Sequence, residues 1–206
     1  ELIIEGSRRL EGEIKIQGAK NSILPILAAS IICKDECVIH NCPNISDVQV
    51  TIKVLEYLGC KTKFEGNTLT INSKGISKND IPDFLMREMR SSIIFLGARI
   101  SSLGKAKLSL PGGCALGPRP IDLHLEGLRQ MGLRISESHG FLECESSRAG
   151  LVGCNIGLSF PSVGATENLI LAAVKARGTT IITNAAKEPE IRDLVTFLNK
   201  CGAKIR

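Results

Sequence analysis

An apolar–glycine–apolar–basic phrase occurs three times in this chain of 206 residues, around Gly59, Gly132 and Gly202. The three glycines lie 73 and 70 residues apart. Each follows a run whose apolar residues have helical spacing, so each is predicted to end a helix just before a strand begins. A period of about 70 residues is too long for a solenoid repeat. The phrase therefore predicts three packed βαβαββ-like units within one α/β structure.

The elements within each unit are predicted from the spacing of apolar residues and from turn residues. Each unit is expected to hold a helix, a strand, a second helix and a closing pair of strands. The predicted helices are 22–32, 47–58, 86–102, 122–131, 162–175 and 190–201, and the predicted strands are 12–17, 37–40, 60–64, 68–72, 106–110, 133–136, 141–145 and 179–183.

The third unit is predicted to be incomplete. Only residues 203–206 follow Gly202, so the first closing strand barely begins and its partner strand is missing. An unpaired strand leaves backbone N–H and C=O groups exposed. We therefore expect another segment or another chain to supply the missing strand.

Composition excludes several classes of protein. With 43% hydrophobic and 23% charged residues, the chain is expected to fold around a core rather than to be disordered. The net charge of +5 is scattered, and with no Trp and one Tyr the chain lacks the stacking aromatics of a single-stranded nucleic-acid binder. No apolar run approaches the roughly 18 to 20 residues of a membrane span, and the N-terminus does not resemble a signal peptide. These features predict a cytoplasmic protein that binds small anions and neither nucleic acid nor membrane.

The eight cysteines are predicted to be free thiols, because secreted disulfide scaffolds are usually much shorter than this chain. Cys33, Cys37, His40 and Cys42 form one close group of metal-capable residues. Zinc sites usually show paired CxxC-like spacing, and this group is neither paired nor so spaced. The sequence therefore favours no metal site.

A loop rich in glycine and proline, residues 111–120, carries a single thiol, Cys114. Its backbone amides, and the N-terminus of the helix predicted after it, can receive an anion. Arg119 adds positive charge, and a nearby cation lowers the pKa of a thiol and raises its reactivity. The loop is either an anion site with a reactive thiol or a turn with an inert cysteine.

Five motifs, taken together and in order, carry a family resemblance. They are Gly18-Ala19-Lys20-Asn21, Met89-Arg90-Ser91-Ser92, the stretch 111–124, Ser162-Val163-Gly164-Ala165-Thr166 and Asn184-Ala185-Ala186-Lys187-Glu188-Pro189-Glu190. This pattern resembles the UDP-N-acetylglucosamine 1-carboxyvinyltransferases, which are enolpyruvyl transferases, over roughly the N-terminal half of their length.

The resemblance implies a fold and a division into lobes. Each lobe of this family is an inside-out α/β barrel of three repeats. Residues 19–206 are accordingly expected to form one lobe, with repeats at about 19–75, 76–150 and 151–206 and the third repeat incomplete. Residues 1–18 are expected to form strands of the other lobe.

The resemblance also implies a reaction. The family transfers the enolpyruvyl group of phosphoenolpyruvate to the 3-hydroxyl of UDP-N-acetylglucosamine, through a tetrahedral intermediate that eliminates phosphate. This is the first committed step of peptidoglycan synthesis, and no cofactor is implied. The expected partners are the two substrates and the second lobe. Because that lobe holds the aspartate expected to act as base, the chain alone is expected to turn over little substrate.

Roles are implied for the residues that match the motifs. Cys114 is expected to donate a proton to the methylene carbon of phosphoenolpyruvate, which requires an acid of tunable pKa. Lys20, Asn21 and Arg119 are expected to bind phosphoenolpyruvate. The expected contacts of UDP-N-acetylglucosamine are Arg90, Arg119, Pro120, Ile121, Asp122, Leu123, Ser162, Val163 and Gly164.

The sequence departs from the family pattern at one place, and two other functions remain as alternatives. Phe160 and Pro161 occupy a place where some members of the family carry a basic residue. The shikimate-pathway enolpyruvyl transferases share the two-lobed fold but do not use a loop cysteine of this kind. A non-catalytic module of one lobe that binds an anion or a nucleotide is the second alternative.

Overall fold

The computed structural model of the protein describes residues 2–6, 9–88, 92–109 and 120–206. A short 3-10 helix lies at Ser92–Ile94. The described α-helices are α1 (Lys20–Cys33), α2 (Ser46–Leu58), α3 (Asp83–Glu88), α4 (Phe95–Leu103), α5 (Asp122–Gln130), α6 (Val163–Ala173) and α7 (Pro189–Lys200). The described strands are β1 (Glu36–Ile39), β2 (Lys61–Glu65), β3 (Thr68–Asn72), β4 (Lys105–Ser109), β5 (Arg134–Ser138), β6 (Phe141–Glu145), β7 (Asn155–Gly157) and β8 (Ile181–Thr183).

Two antiparallel sheets repeat one arrangement. Their strand orders are β1-β3-β2 and β4-β6-β5, so the last strand of each unit lies at the centre of its sheet. Cys37 lies opposite Ile71 in the first sheet, and Ala106 lies opposite Cys144 in the second. These four side chains are buried, while their neighbours along the strands are more exposed. Each sheet therefore packs one face onto the core, as alternating strands do.

Parallel connections complete the second and third units. β7 and β8 pair in parallel on either side of α6 in the sequence. The bridge between Asp80 and Lys107 is also parallel, and α4 lies between these two residues in the sequence. A strand, a helix and a parallel strand form the βαβ unit that the repeat predicts. In the third unit, residues 203–206 form no strand.

Three helices, α1, α4 and α6, form the centre of the molecule, one from each unit. α1 is buried almost all round between residues 23 and 32, since its sequence there is apolar on every side. α4 and α6 approach so closely at Gly97 that an added Cβ would collide with the carbonyl oxygen of Asn168. No helix in the described ranges is both long and apolar enough to cross a membrane. The α/β fold class is confirmed.

The repeated glycines end the helices that the phrase predicts. Gly59, Gly132 and Gly202 have φ angles of 104°, 88° and 97°, in the left-handed region that favours glycine. The backbone N–H of Gly59 bonds to carbonyl oxygens of the last turn of α2. A helix stop of this kind turns the chain directly into the closing strands.

Two of the predicted elements are wrong. The single helix predicted over 86–102 is interrupted: α3 ends at Glu88, and α4 begins at Phe95 after the 3-10 turn. Apolar spacing alone does not distinguish these two cases. The strand predicted at 12–17 has no regular structure, and Ile14 and Ile16 are 83% and 75% exposed. A strand needs a paired neighbour, and none of the described strands pairs with this segment.

Candidate active-site cleft

The first turn of α1 carries Lys20 and Asn21, two of the residues expected to bind phosphoenolpyruvate. The preceding residue, Ala19, is extended and offers no side-chain cap to the first N–H groups of the helix. Lys20 is half exposed, and its Nζ lies 3.7 Å from Asp47 Oδ2. A partly exposed ion pair at this distance contributes little stability. The ammonium group is therefore available to a phosphate.

The start of α7 is joined to the start of α1. Asn21 Nδ2 donates a hydrogen bond to Glu190 Oε1 at 3.4 Å, and Ser22 Oγ donates to Asp193 Oδ2 at 2.6 Å. α7 opens with Pro189, whose fixed φ and missing N–H suit the first turn of a helix. The motif at 184–190 is thereby held against the first turn of α1.

The start of α6 lies at the same end of the molecule. Ser162 caps it, since its Oγ accepts a hydrogen bond from the N–H of Ala165 at 3.3 Å. Thr166 Oγ1 donates to the carbonyl oxygen of Ser162 at 2.8 Å and accepts from the N–H of Ala186 at 3.0 Å. These bonds tie the first turn of α6 to the segment that precedes α7.

A cleft of about 260 Å³ opens between α1, α6 and α7. It brings together Asn21 and Val163, which the resemblance assigns to different substrates. Helix N-termini carry partial positive charge and unpaired N–H groups that can bind an anion, whereas the titratable side chains that line the cleft are both acidic. Its lining combines polar and apolar side chains: Asn21, Leu24, Pro25, Ile94, Val163, Glu167 and Glu190.

Glu167 is the residue of this cleft that sequence reasoning missed. It is 8% exposed. Burial, reinforced by the charge of Glu190, raises the pKa of its carboxyl group to about 8. The group is therefore largely protonated at neutral pH and can donate a hydrogen bond. A signal was available, because Glu167 is the one acid in α6, an otherwise mostly apolar helix.

The start of α5 lies beside the start of α6. The ring of His124 packs against Gly164, where an added Cβ would lie 3.2 Å from Cε1. The structure thus brings two groups of expected sugar-nucleotide contacts close together: Pro120, Ile121, Asp122 and Leu123 from the start of α5, and Ser162, Val163 and Gly164 from the start of α6.

His124 is a packed neutral residue. It is 6% exposed, and burial lowers its pKa to about 4. Asn168 Nδ2 donates to its Nδ1 at 2.8 Å and also to the carbonyl oxygen of Ile93 at 2.8 Å. The Oδ1 of Asn168 accepts from the N–H of Gly97 at 2.6 Å. His124 therefore positions the starts of α5 and α6 relative to α4, and its Nε2 carries the proton.

Three expected site residues, Cys114, Arg119 and Arg90, lie outside the described residues. Their roles stay predictions. On the described side of the loop that holds Cys114, β4 ends at Ser109 and α5 begins at Asp122. The loop therefore follows a strand and precedes a helix, as the sequence predicts.

Comparison with known proteins places this chain in a family. Residues 4–206 match the family described as EPSP synthase (3-phosphoshikimate 1-carboxyvinyltransferase). UDP-N-acetylglucosamine 1-carboxyvinyltransferase 2 of Caldanaerobacter subterraneus is 53% identical over 202 residues, which are 98% of this chain and 48% of that protein. UDP-N-acetylglucosamine 1-carboxyvinyltransferase 1 of Symbiobacterium thermophilum is 50% identical over 209 residues, 99% of this chain and 47% of that protein. The chain spans about half the length of the curated relatives it matches.

Solved structures agree with the sequence relatives. The enolpyruvyl transferase NikO from Streptomyces tendae superposes with a TM-score of 0.84 at 25% identity, over 98% of this chain and 47% of that one. EPSP synthase from Acinetobacter baumannii superposes with a TM-score of 0.60 at 18% identity, over 86% of this chain and 41% of that one, which shows the fold alone. The three-unit α/β fold is thus that of the enolpyruvyl transferases. The chain belongs to the EPSP synthase family, and the resemblance drawn from its motifs is confirmed.

Proposed function

We propose that this protein transfers the enolpyruvyl group of phosphoenolpyruvate to the 3-hydroxyl of UDP-N-acetylglucosamine and releases phosphate. One observation carries the proposal: the starts of α1, α6 and α7 meet at one cleft, with the start of α5 beside α6. Both substrates are anionic, and helix starts favour anions. The names of relatives that are 46–53% identical support this pair of substrates.

The phosphoenolpyruvate half of the site would depend on Lys20, Asn21, Arg119 and Cys114. Lys20 and Arg119 would hold the phosphate, because cations bind phosphate oxygens through charge-assisted hydrogen bonds, and Lys20 lies in the first turn of α1. Cys114 would protonate the methylene carbon while the sugar oxygen bonds to the neighbouring carbon and passes its hydroxyl proton to the base expected in the second lobe. Loss of phosphate and of a proton from the resulting methyl group would then restore the double bond in the product.

The sugar-nucleotide half would draw on the starts of α5 and α6 together with Arg90. Backbone N–H groups at these starts would bind phosphate or sugar oxygens, and Ser162 is already oriented as a cap. This function places the protein in peptidoglycan synthesis in the cytoplasm, and it makes Cys114 the target of the epoxide phosphonate fosfomycin.

The test is phosphate release, measured with phosphoenolpyruvate and UDP-N-acetylglucosamine. It is run on this chain and on a form extended to the length of its relatives. We expect release from the extended form, loss of release in its Cys114→Ser variant, and little change in its Cys154→Ser variant, since Cys154 lies outside the cleft. Fosfomycin should label the extended form at Cys114.

A second acceptor substrate, shikimate 3-phosphate, distinguishes the proposed reaction from the two alternatives. The matched family is described by 3-phosphoshikimate 1-carboxyvinyl transfer. Release with shikimate 3-phosphate in place of the sugar nucleotide would therefore overturn the proposed substrate and favour the shikimate-pathway reaction. Binding of the sugar nucleotide by the extended form without any release would favour a non-catalytic module.

A further inference from the structure

Three thiols meet at the C-terminal end of α1. Cys33 is the last residue of α1, Cys37 lies in β1, and Cys201 directly follows α7. Their Sγ atoms all lie within 4.8 Å of one another. Within the ranges that the structure describes, no other three His, Cys, Asp or Glu side chains bring their ligand atoms this close. We call these residues the three-thiol cluster.

The cluster differs from the group that stands together in the sequence. His40 lies 3.2 Å from Thr68 Oγ1 through its Nδ1 atom, and neither His40 nor Cys42 belongs to the cluster. Cys201 takes their place, although it is far from Cys33 in the sequence. The packing of α7 against α1 is what brings it there.

The spacing of the sulfur atoms suits a shared metal ion. Bonds of about 2.3 Å to thiolates hold pairs of sulfur atoms roughly 3.8 to 4.0 Å apart in tetrahedral or trigonal geometry. Sulfur atoms within 4.8 Å of one another reach that spacing by small side-chain rotations. Thiolates are the donors that Cu⁺ and Zn²⁺ select, whereas Mg²⁺ and Ca²⁺ prefer oxygen.

The surroundings favour a cation bound to thiolates. The carbonyl ends of α1 and α7 both point to this place, and helix C-termini favour positive charge. Lys175 Nζ donates to the carbonyl oxygen of Ile32 at 2.8 Å, which holds an ammonium group next to Cys33. Three thiolates around Zn²⁺ carry a net charge of about −1, which one ammonium group offsets.

We propose that Cys33, Cys37 and Cys201 bind one thiophilic d¹⁰ metal ion, Zn²⁺ or Cu⁺, and so fasten the end of α7 to the end of α1. Three thiolates complete a trigonal Cu⁺ site, whereas Zn²⁺ takes a fourth ligand from solvent beside the exposed Cys201. Each thiol releases its proton to solvent on binding, so the affinity rises with pH. At 1.5 Å per residue, the 14 residues of α1 separate this site from Lys20 by about 20 Å.

The experiment uses the intact chain, freed of metal by a chelator and kept reduced without added thiols under nitrogen. Co²⁺ is titrated as a spectroscopic probe, and we expect a thiolate-to-cobalt charge-transfer band that saturates at one ion per chain. Zn²⁺ and Cu⁺ are then added in separate arms against competing chelators, and the tighter arm identifies the metal. The melting temperature should rise with metal concentration, because the ion binds the folded chain.

Serine variants locate the site. Losing even an outer partner of a metal ligand weakens binding roughly 10- to 100-fold. Cys33→Ser, Cys37→Ser and Cys201→Ser should therefore each bind at least tenfold more weakly and lose the metal-dependent rise in melting temperature. Cys154→Ser, at a half-buried thiol outside the cluster, should bind as the unmodified chain does.

Three outcomes would overturn the proposal. The first is a reduced chain that binds none of the three ions. The second is binding that persists at full strength in Cys201→Ser, which would place the ion elsewhere. The third is a chain that binds no metal but forms a disulfide within the cluster on mild oxidation. The Cys201→Ser variant is the most informative of the three, because Cys201 is exposed and its substitution leaves the packing of the core unchanged.

Discussion

The two ends of α1 offer opposite chemistry. At the start, Asn21 lines a cleft between helix N-termini, opposite Glu190 of α7, and the neighbouring Lys20 is half exposed. At the end, Cys33 meets Cys37 and Cys201, and the last of these follows α7. α1 and α7 thus lie side by side in the same direction and share both sites. One helix pair therefore carries the proposed anion site at its N-terminal end and the proposed metal site at its C-terminal end, as the direction of its peptide dipoles favours.

The two ends of α1 also differ in their expected roles, one in activity and the other in joining two units of the fold. The N-terminal end holds residues that the family motifs single out, and its groups are polar, titratable and partly exposed. The C-terminal end holds thiols that no motif singles out, and it joins the first unit to the third. We therefore expect changes at the first end to alter activity and pH dependence, and changes at the second end to alter metal binding and stability.

The largest expected effect is that of Lys20→Ala on phosphate release by the extended form. Loss of one positioned charge or donor at a reacting group costs about 2.7 to 4 kcal/mol, so kcat/KM should fall roughly 10²- to 10³-fold. Lys34→Asn is the matched control, because Lys34 caps the other end of α1 in a left-handed conformation that Asn tolerates. Equal losses of kcat/KM in Lys20→Ala and Lys34→Asn would show that the two ends of α1 do not differ in their contribution to activity.

Glu167→Gln should stabilise the chain at high pH. The carboxyl group has a pKa of about 8 when folded, against a usual value near 4.5. The folded chain therefore binds the extra proton between these values, and its stability falls as the pH rises through that window. The amide of Gln does not titrate and so avoids this loss of stability. The free energy of unfolding of the variant should therefore exceed that of the unmodified chain by on the order of 3 kcal/mol at pH 8 and by little at pH 4.5.

Urea unfolding of both forms at the two pH values measures this gain. Glu190→Gln serves as a control, because Glu190 contributes less to the shift than burial does. It should give a smaller gain of the same sign. A Glu167→Gln variant whose gain is the same at pH 4.5 and pH 8 would show that Glu167 is not protonated in the folded chain.

His124 should give a pH dependence of the opposite sign. Its pKa is about 4 when folded, against a usual value near 6.5, so the unfolded chain takes up the proton first. Stability should then fall as the pH is lowered from 6.5 towards 4. We expect the His124→Gln variant to lose roughly 2 kcal/mol less than the unmodified chain over this window. The free energy of unfolding of both proteins is measured in urea between pH 4 and pH 6.5. An equal dependence on pH in the two proteins would contradict a buried neutral imidazole.

The smallest expected effect is that of Lys175→Met on the three-thiol cluster. The variant keeps most of the apolar stem but removes the ammonium group that lies next to Cys33 and offsets the negative charge of a metal bound to three thiolates. Its affinity for Zn²⁺ should fall about threefold to tenfold, as one partly screened charge would give. Lys105→Met is the control, because Lys105 lines one surface groove together with Lys175 but does not belong to the three-thiol cluster. An unchanged affinity in Lys175→Met would show that the cluster needs no charge compensation.

Local patterns predicted the elements and their order well. Apolar spacing and the three glycines were sufficient for α2, α5 and α7 and for the closing hairpins, because helix stops and turns are decided by a few neighbouring residues. The motifs also identified the family. Apolar spacing failed at 86–102 and 12–17, where a local break and a missing partner strand are invisible in a local pattern.

The sequence by itself determined the repeat, the α/β class, the family and the motif residues at the helix starts. Only the tertiary structure decided which distant groups meet. Burial against Glu190 sets the pKa of Glu167, and the packing of α7 on α1 joins Cys201 to Cys33 and Cys37. The physical reason is that propensity and turn chemistry act over a few residues, whereas desolvation and side-chain clusters depend on contacts between segments far apart in the chain.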